Sequence, residues 1–231
     1  MKAAAVVVAA GAGTRLERTG GVPKAIAEIA GEPMFMHSLR CMDAVTAIGE
    51  IVIVVPHAWA TLVIERTAGR LSTPLSIVEG AATRGGSVRE GLRALRSDPE
   101  AIVVHDAARP LVRAGLVERC LASLAKDQAA VCAVPVGDTV KRASAGAVTE
   151  TVPRENLFSV QTPQVFRAAV LIEAHERAEA DGVEETDDAA LVERMGVRVA
   201  IVGGDPSNAK VTTDEDFAMV EALLEHRKVR R

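Results

Sequence analysis

A glycine-rich segment near the start of the chain, followed by two basic residues, has the composition of a phosphate-binding site. The segment follows a short apolar run and consists of Ala9, Ala10, Gly11, Ala12 and Gly13. Glycines allow the backbone to approach a ligand closely and to point amide hydrogens at phosphate oxygens. Arg15 offers a planar set of donors and Lys24 a compact charge, which together suit a triphosphate better than a neutral ligand.

Other glycine motifs that bind nucleotides do not match this segment. A dinucleotide-binding loop needs a third glycine at position 16, where Leu16 stands, and a P-loop lysine follows a glycine, whereas Lys24 follows Pro23. The sequence therefore disfavours hydride transfer and P-loop chemistry. Two structural interpretations stay open: a tight turn for the glycines, and surface ion pairs for Arg15 and Lys24.

The chain contains no motif of a nucleophilic or zinc-dependent hydrolase. Its five histidines form no H-E-x-x-H sequence, and there is no G-x-S-x-G and no C-x-x-C. Phosphoryl and nucleotidyl transfer do not need these groups, because their catalysis consists mainly of positioning and electrostatic stabilisation. The widely spaced cysteines Cys41, Cys120 and Cys132 suit buried thiols in a reducing cytoplasm.

Alternating strand and helix patterns must position these residues. Short apolar runs rich in β-branched residues predict strands that are covered on both faces, at residues 5–8, 51–55, 75–78, 102–104, 130–134 and 197–202. Apolar residues at helical spacing predict helices around residues 35–42, 88–95, 116–124 and 217–224. The alternation predicts an α/β fold, a three-layer sandwich with a mostly parallel, Rossmann-like sheet. Ligands bind beyond the carboxyl ends of such strands, so Asp106, at the end of the fourth strand, is a candidate binding residue.

Residues 136–161 interrupt this alternation. Two short stretches of alternating polar and apolar residues flank Ser144, Ala145 and Gly146, which predicts a β-hairpin. An isolated two-stranded hairpin is marginally stable in water, so this protruding β-arm needs a surface to pack on. We expect the second subunit of a homodimer to provide that surface; packing of the arm on its own domain is the alternative.

The composition favours one globular domain over residues 1–231. The 27 basic and 31 acidic residues give a formal charge of −4, unlike the basic surface of a duplex-binding protein, so no nucleic-acid partner is expected. No apolar run approaches the roughly 18 residues of a membrane span. The start of the chain imitates a secretory signal only weakly, since Lys2 is its single charge, and a buried first strand in a cytoplasmic protein is expected.

Eight segments together resemble one family of nucleotidyltransferases. They are AAGAGTRL, VPK, GAATRGGSVREGL, VHDAARP, DTVK, QTPQVF, TDDAALVE and NAKVTTDED. In order and spacing, and over essentially the whole chain, they are similar to the 2-C-methyl-D-erythritol 4-phosphate cytidylyltransferases of the non-mevalonate isoprenoid pathway. The resemblance implies a fold of the nucleotide-diphospho-sugar transferase type. It also implies transfer of a cytidylyl group from CTP to 2-C-methyl-D-erythritol 4-phosphate, which gives 4-diphosphocytidyl-2-C-methyl-D-erythritol and pyrophosphate.

The resemblance further implies roles for individual residues. The catalytic residues, which hold the triphosphate and neutralise charge at the α-phosphorus, are Arg15, Lys24 and Lys210. Nucleotide-binding residues are 9–13 together with Gly80, Ser87, Asp106 and Ala107. The acceptor phosphate is met by Thr139, Arg154, Thr162 and Thr186, with Arg154 reaching the site of the neighbouring subunit. Mg²⁺ is expected mainly on the CTP phosphates, and Asp106 contacts either the metal or a ribose hydroxyl.

Several of these residues have structural interpretations that the sequence leaves open. Asp106 could cap a helix or pair with Arg109. Ser87 and Glu90 have the spacing of a capping box in front of a helix at residues 88–95. The aspartates at positions 187 and 188 suit either the sugar hydroxyls of the acceptor or the first turn of a helix.

Two other functions fit the same loops. A cytidylyltransferase for another polyol phosphate, such as ribitol 5-phosphate, would differ only in its acceptor pocket. A nucleotide-binding regulator without activity would have lost one or more of the cations, yet Arg15, Lys24, Arg154 and Lys210 are all present.

Overall fold

The computed structural model describes residues 1–11 and 22–229, and within them a seven-stranded sheet flanked by helices. In chain order the elements are β1 (Ala3–Val8), β2 (Glu28–Ile29), β3 (Glu32–Pro33), α1 (Met34–Asp43), β4 (Ile48–Val55), α2 (Ala60–Thr67), β5 (Leu75–Glu79), α3 (Arg84–Arg93), β6 (Ala101–Asp106), α4 (Ala114–Ser123), β7 (Ala129–Pro135), β8 (Val140–Ser144), β9 (Ala147–Val152), β10 (Phe158–Arg167), α5 (Ala168–Asp181), α6 (Asp188–Arg194), β11 (Val199–Gly203) and α7 (Asp214–Val229). A short 3₁₀ turn, His57–Trp59, precedes α2.

The large sheet has the strand order β11, β7, β10, β6, β1, β4 and β5. Neighbouring strands run parallel except at β10, which is antiparallel to both β6 and β7. The predicted α/β class with a mostly parallel sheet is confirmed, and the six predicted strands correspond to β1, β4, β5, β6, β7 and β11.

Each face of the sheet packs under its own set of helices, because successive side chains of a strand point to opposite faces. In β1, Val7 belongs to the apolar core that includes α1 and α4, whereas Val6 belongs to the core that includes α3, α5 and α6. Neither side chain has any exposed surface. Strands covered on both faces explain the nearly continuous apolar runs and form the middle of three layers.

A third, smaller core fixes the C-terminal helix. Apolar residues of α7 pack against Met34 and Leu111. Just before α7, the N–H of Val211 donates to the carbonyl of Ala108, with 2.8 Å between N and O. This contact places the segment around residue 210 beside the loop that follows β6.

No apolar run predicts β10, although it lies in the middle of the sheet. Gln161, Thr162 and Gln164 interrupt its apolar pattern, yet all three are buried. Their side chains are stabilised by hydrogen bonds, for example from Gln164 Nε2 to Asp187 Oδ2 at 2.7 Å. Buried polar side chains are tolerated when they are paired in this way.

Helix α3 begins earlier than its apolar spacing predicts. It starts at Arg84, and the hydroxyl of Thr83 caps it by accepting a hydrogen bond from the N–H of Gly86 at 3.0 Å. Ser87 lies inside the first turn and accepts no capping bond from a helical N–H. The prediction of a capping box formed by Ser87 and Glu90 is therefore wrong, because Thr83 already occupies the capping position.

The predicted hairpin is present as β8 and β9. Ala145 and Gly146 have φ angles of 48° and 78°, the left-handed conformation that favours a two-residue hairpin turn. Residues 141–151 are all exposed, so the rest of the described chain does not cover the arm. None of the described helices has the length and apolar character needed to cross a membrane.

Candidate active site

The carboxyl ends of four parallel strands bring several predicted nucleotide-binding residues together. The N–H groups of Ala9 and Gly80 donate to carbonyls at the end of β4 at 2.7 and 2.9 Å. The N–H of Ala107 donates to the last carbonyl of β1 at 3.0 Å. Asp106 lies opposite Val8 in the register of β6 and β1. We call this edge, formed by the ends of β1, β4, β5 and β6, the strand-end rim.

Two loops of the rim are in close contact. A Cβ atom added at Gly80 would lie 2.2 Å from the Cβ of Ala10, so only glycine fits at position 80 without movement. The buried hydroxyl of Ser87 accepts from the N–H of Ala81 at 3.1 Å and donates to the carbonyl of Thr83 at 2.9 Å. Ser87 therefore holds the loop that leads into α3. Gly11 is exposed, and Ala12, Gly13 and Arg15 lie outside the described residues.

Asp106 is the ionic centre of the rim. Its Oδ1 lies 3.1 Å from Arg84 Nε, its Oδ2 lies 2.7 Å from Lys210 Nζ, and its side chain is only 10% exposed. Burial alone would raise the pKa of Asp106, but the charges of Arg84 and Lys210 outweigh burial and hold this pKa below its ordinary value. The carboxylate is therefore anionic at neutral pH.

The contacts of Asp106 match neither of its two structural interpretations, a helix cap and a side-chain pair with Arg109. No helix begins at this residue, since the next helix is α4, at Ala114. The guanidinium of Arg109 donates instead to the carbonyl of Asn208, with 2.9 Å between Nη1 and O. Asp106 pairs with Arg84 and Lys210, which lie 22 residues before it and 104 residues after it.

Arg84, which the sequence analysis did not single out, bridges two buried carboxylates. Its Nη1 lies 2.8 Å from Asp188 Oδ2, and Asp188 Oδ1 lies 3.0 Å from His175 Nε2. Burial would raise the pKa of Asp188, but Arg84 and His175 lower it. No sequence signal pointed to this residue, because the predicted helix began at residue 88 and only the structure places Arg84 at the start of α3.

Two of the three predicted catalytic cations meet at the rim. Lys24 Nζ donates to the carbonyl of Val211 at 3.0 Å, next along the chain from Lys210. Lys210 Nζ contacts Asp106. The third cation, Arg15, lies outside the described residues. Contacts from opposite ends of the chain thus meet at residues 210 and 211, beside the loop that follows β6.

Of the predicted acceptor-binding residues, Thr162 is the one that contacts the rim. Its buried hydroxyl accepts from the N–H of Asp106 at 3.0 Å and shares a hydrogen bond with His105 Nδ1 at 3.0 Å. Burial lowers the pKa of His105 to about 4, so this imidazole is neutral at neutral pH. The hydroxyl of Thr162 is thus engaged with the backbone of β6, and its contact with an acceptor phosphate stays a prediction.

The other three predicted acceptor-binding residues are exposed. Thr139 lies in the loop between β7 and β8, and Arg154 donates to the carbonyl of Gly137 in the same loop. Thr186 lies in the loop before α6. The next residue, Asp187, caps α6 by accepting from the N–H of Ala190 at 3.0 Å, as one of its two interpretations predicts. No contact within the described ranges joins Thr139, Arg154 or Thr186 to Lys210.

Within residues 1–11 and 22–229, no three His, Cys, Asp or Glu side chains form a group that could hold a metal ion. At the end of β6, the Asp106 carboxylate has a basic group on each of its oxygens. Such a donor set does not resemble a metal cage made by protein alone. It fits Mg²⁺, which often binds through one or two carboxylates and otherwise through substrate phosphates and water.

The sequence and fold are similar to those of known cytidylyltransferases. Residues 3–226 match the family model described as 2-C-methyl-D-erythritol 4-phosphate cytidylyltransferase. A protein of that name from Symbiobacterium thermophilum is 42% identical over 221 residues, covering 95% of this chain and 92% of that protein. A protein of the same name from Deinococcus radiodurans is 40% identical over 225 residues, covering 97% and 90%.

Solved structures agree with this similarity. The 4-diphosphocytidyl-2C-methyl-D-erythritol synthase of Anaerococcus prevotii superposes with a TM-score of 0.85 at 29% identity, over 97% of this chain and 98% of that one. The 2-C-methyl-D-erythritol 4-phosphate cytidylyltransferase of Thermus thermophilus superposes with a TM-score of 0.79 at 33% identity, over 97% and 100%.

Proposed function

Because this chain belongs to the 2-C-methyl-D-erythritol 4-phosphate cytidylyltransferase family, it transfers a cytidylyl group from CTP to that acceptor, and we propose that transfer occurs at the strand-end rim. The observation that carries this placement is the meeting of Lys24, Lys210 and Asp106 beside the loop after β1. Each lysine has a partner within the protein, but together they place two positive charges near the carboxyl ends of β1 and β6, and a triphosphate requires several cations.

The acceptor needs no protein base to become a nucleophile. A phosphomonoester has a second pKa near 6, so its oxygen is largely anionic at neutral pH. His105 and His175 are buried and hydrogen-bonded to other side chains, which suits structural roles. The acceptor oxygen attacks the α-phosphorus of CTP and pyrophosphate leaves, so the main obstacle is repulsion between two anions. Two unit charges 4 Å apart repel by about 4 kcal/mol at an effective dielectric constant of 20.

The protein's cations remove this repulsion. Lys24 Nζ contacts the carbonyl of the residue that follows Lys210, and Lys210 Nζ contacts Asp106 at the end of β6, so we assign to both the neutralisation of charge at the α-phosphorus. Arg15 completes this set in our proposal. We assign the nucleotide to residues 9–13, Gly80 and Ala107, of which Ala9, Gly80 and Ala107 hold the described part of the rim together by backbone hydrogen bonds. Ser87 holds the Gly80 loop in place.

Mg²⁺ completes the proposed site. It would be held by triphosphate oxygens and by Asp106, whose side chain retains 10% exposure at the rim. When bound, the metal supplies further neutralisation of the triphosphate. Asp106 alternatively accepts a hydrogen bond from a ribose hydroxyl, and in either case the charge of Arg84 favours its ionised form.

We assign the acceptor phosphate to Thr139, Arg154, Thr162 and Thr186, with the arm contributed by a second subunit. Val148 in the arm and Phe158 and Val160 at its base are large apolar residues that are 63%, 40% and 42% exposed. A hairpin that its own chain does not cover is marginally stable alone. A homodimer that buries these side chains would stabilise the arm and bring Arg154 towards a neighbouring site.

The protein's free thiols support a reducing compartment, and we place the enzyme in the cytoplasm. Cys120 and Cys132 are buried and Cys41 is half-buried, and none of the three is paired in a disulfide. Burial raises the pKa of Cys41 to about 12, which makes this thiol unreactive at neutral pH.

Pyrophosphate release from CTP, Mg²⁺ and 2-C-methyl-D-erythritol 4-phosphate tests the reaction. We expect turnover with this acceptor to exceed turnover with ribitol 5-phosphate, and omission of the metal to abolish it. A clear preference for ribitol 5-phosphate would refute the acceptor assignment, and CTP binding without pyrophosphate release would refute catalysis.

Sedimentation measures whether the protein forms the proposed dimer. Mixed dimers of an Arg154→Ala subunit with a Lys24→Ala subunit should recover activity at one site if the arm crosses between subunits.

A further inference from the structure

We propose that Arg84 is a positioning residue that balances the charge of Asp106 and so frees Lys210 to act on the phosphates of CTP. This inference rests on the proposed function, because it concerns the same rim. Arg84 does not need to touch the substrate. Its role follows from the two carboxylates that it joins and from the competition between Arg84 and Lys210 for one of them.

The guanidinium of Arg84 is held by two bonds that point in different directions. Nε contacts Asp106 Oδ1 at 3.1 Å and Nη1 contacts Asp188 Oδ2 at 2.8 Å. Nη2 is buried and has no partner among residues 1–11 and 22–229. Because guanidinium is planar and its donors are fixed relative to one another, the two bonds determine both its position and its tilt.

Asp188 is itself immobilised on the side away from the rim. Its Oδ1 lies 3.0 Å from His175 Nε2, and the two side chains are 1% and 2% exposed. Asp188 is the first residue of α6, and His175 lies in α5. Arg84 is thus anchored to the helical layer of the protein through a buried pair, whereas Asp106 is at the rim.

Lys210 is the more exposed of the two partners of Asp106. Its side chain is 38% exposed, against 24% for Arg84 and 10% for Asp106. A lysine has one flexible point charge, which can turn from a carboxylate to a phosphate. If Arg84 were absent, Lys210 would be the one basic side chain of residues 1–11 and 22–229 in contact with the buried Asp106 carboxylate, and a buried charge without a partner is strongly disfavoured. Lys210 would then remain on Asp106.

Arg84 also joins the two sides of the proposed site. It is the first residue of α3, directly after the loop that begins at Gly80, and its partner Asp188 follows the loop that contains Thr186. Thr83 connects the same two loops, since its hydroxyl donates to Glu184 Oε1 at 2.9 Å. The nucleotide loop and the acceptor loop therefore share one set of ionic and hydrogen-bond contacts.

The experiment compares Arg84→Gln and Arg84→Lys with matched changes at Arg89. Arg89 lies in the same helix and forms longer contacts, at 3.5 Å to Glu179 and 3.7 Å to Glu184, away from Asp106. We expect kcat of R84Q to fall by about 10- to 100-fold, the range for partners that orient a functional group. The KM for CTP should change less than threefold, since the nucleotide loops stay intact. R84K should keep part of kcat, and R89Q and R89K should stay within twofold of wild type.

A double-mutant cycle with Lys210→Gln tests the route of the effect. If Arg84 acts through Lys210, adding R84Q to K210Q should lower the residual kcat by less than threefold, because the two effects are not independent. We express turnover per folded molecule, and near-UV circular dichroism measures the folded fraction. If Arg84 had only a structural role, kcat per folded molecule would therefore stay unchanged. If R84Q does not fold, R84K tests the inference instead, and its kcat should be about tenfold lower than that of the wild type.

Three outcomes would overturn the inference. They are a kcat for folded R84Q or R84K within twofold of wild type, a loss equal to that of the Arg89 variants, and additive losses in the cycle with K210Q. Wild-type pyrophosphate release is measured first in the same assay. Absence of wild-type release contradicts the proposed function, whereas normal wild-type release with unaffected Arg84 variants contradicts only this inference.

Discussion

Replacing Gly80 by alanine should damage the nucleotide site by a steric effect whose size follows from the structure. The new Cβ would lie 2.2 Å from Ala10 Cβ, 3.0 Å from Ser87 Oγ and 3.3 Å from Val54 Cγ1. Carbon atoms pack best at about 3.5–4.0 Å, so one of the two loops must move by roughly 1.3 Å. The Ala10 Cβ is attached to the backbone and cannot turn away as a long side chain could.

We expect both activity and stability to fall in Gly80→Ala. A misplacement of about 1 Å can cost about 100-fold in rate, so kcat/KM for CTP should fall by about two orders of magnitude. Overpacking costs about 1–3 kcal/mol, which corresponds to a decrease in Tm of roughly 2–12 °C for a chain of this size. The rise in Tm on adding CTP should also become smaller, because a weaker ligand stabilises less.

Pyrophosphate release and thermal unfolding, with and without CTP, measure these effects. Gly115→Ala is the matched control, since nothing lies within 4 Å of its added Cβ and alanine is the better helix former at this exposed position of α4. Ala10→Gly combined with Gly80→Ala removes the closest clash and should recover part of the activity. Wild-type kcat/KM in Gly80→Ala, or no recovery in the double variant, would refute the steric reasoning.

Other substitutions test the remaining roles. Lys24→Ala should lower kcat by about 100- to 1,000-fold in a folded protein, the usual cost of removing one charge-stabilising donor; near-normal pyrophosphate release would contradict its catalytic role. Thr162→Val leaves the N–H of Asp106 without its acceptor and should lower the free energy of unfolding by about 1–3 kcal/mol in urea titrations, whereas Thr162→Ser should cost less. Glu50 is buried, which alone would raise its pKa, but bonds from Ser97 and Arg96 lower it below 4.5. Its contribution to stability is therefore full above pH 4.5 and is lost as the pH falls below that value. Glu50→Gln should then destabilise the protein more at pH 7 than at pH 3, and an equal loss at both pH values would contradict this.

The elements with regular local patterns could be predicted from the sequence. β-branched apolar runs such as residues 51–55 are characteristic of strands buried on both faces, because such strands need no polar face. The turn at Ala145 and Gly146 was also predictable from the local sequence, since a hairpin turn needs residues that accept positive φ. The glycine segment and Lys24, Asp106 and Lys210 were predicted as site residues from their types and from a family resemblance, and the structure places Lys210 in contact with Asp106.

Tertiary structure alone decided β10 and Arg84. The polar side chains of β10 are tolerated in the core because partners such as Asp187 satisfy their hydrogen bonds. Those partners lie far away along the chain, so local sequence patterns do not reveal them. Arg84 looks like an ordinary charge on a helix until Asp106 and Asp188 are placed on either side of it. The periodicity of apolar residues depends only on residues that are close along the chain. Ionic pairing depends instead on which distant segments the fold brings within about 3 Å of each other. For that reason the sequence by itself determined six strands of the sheet, the loops that follow them and the anionic class of ligand, whereas the folded chain decided the place of β10 and how the charges at the rim are shared.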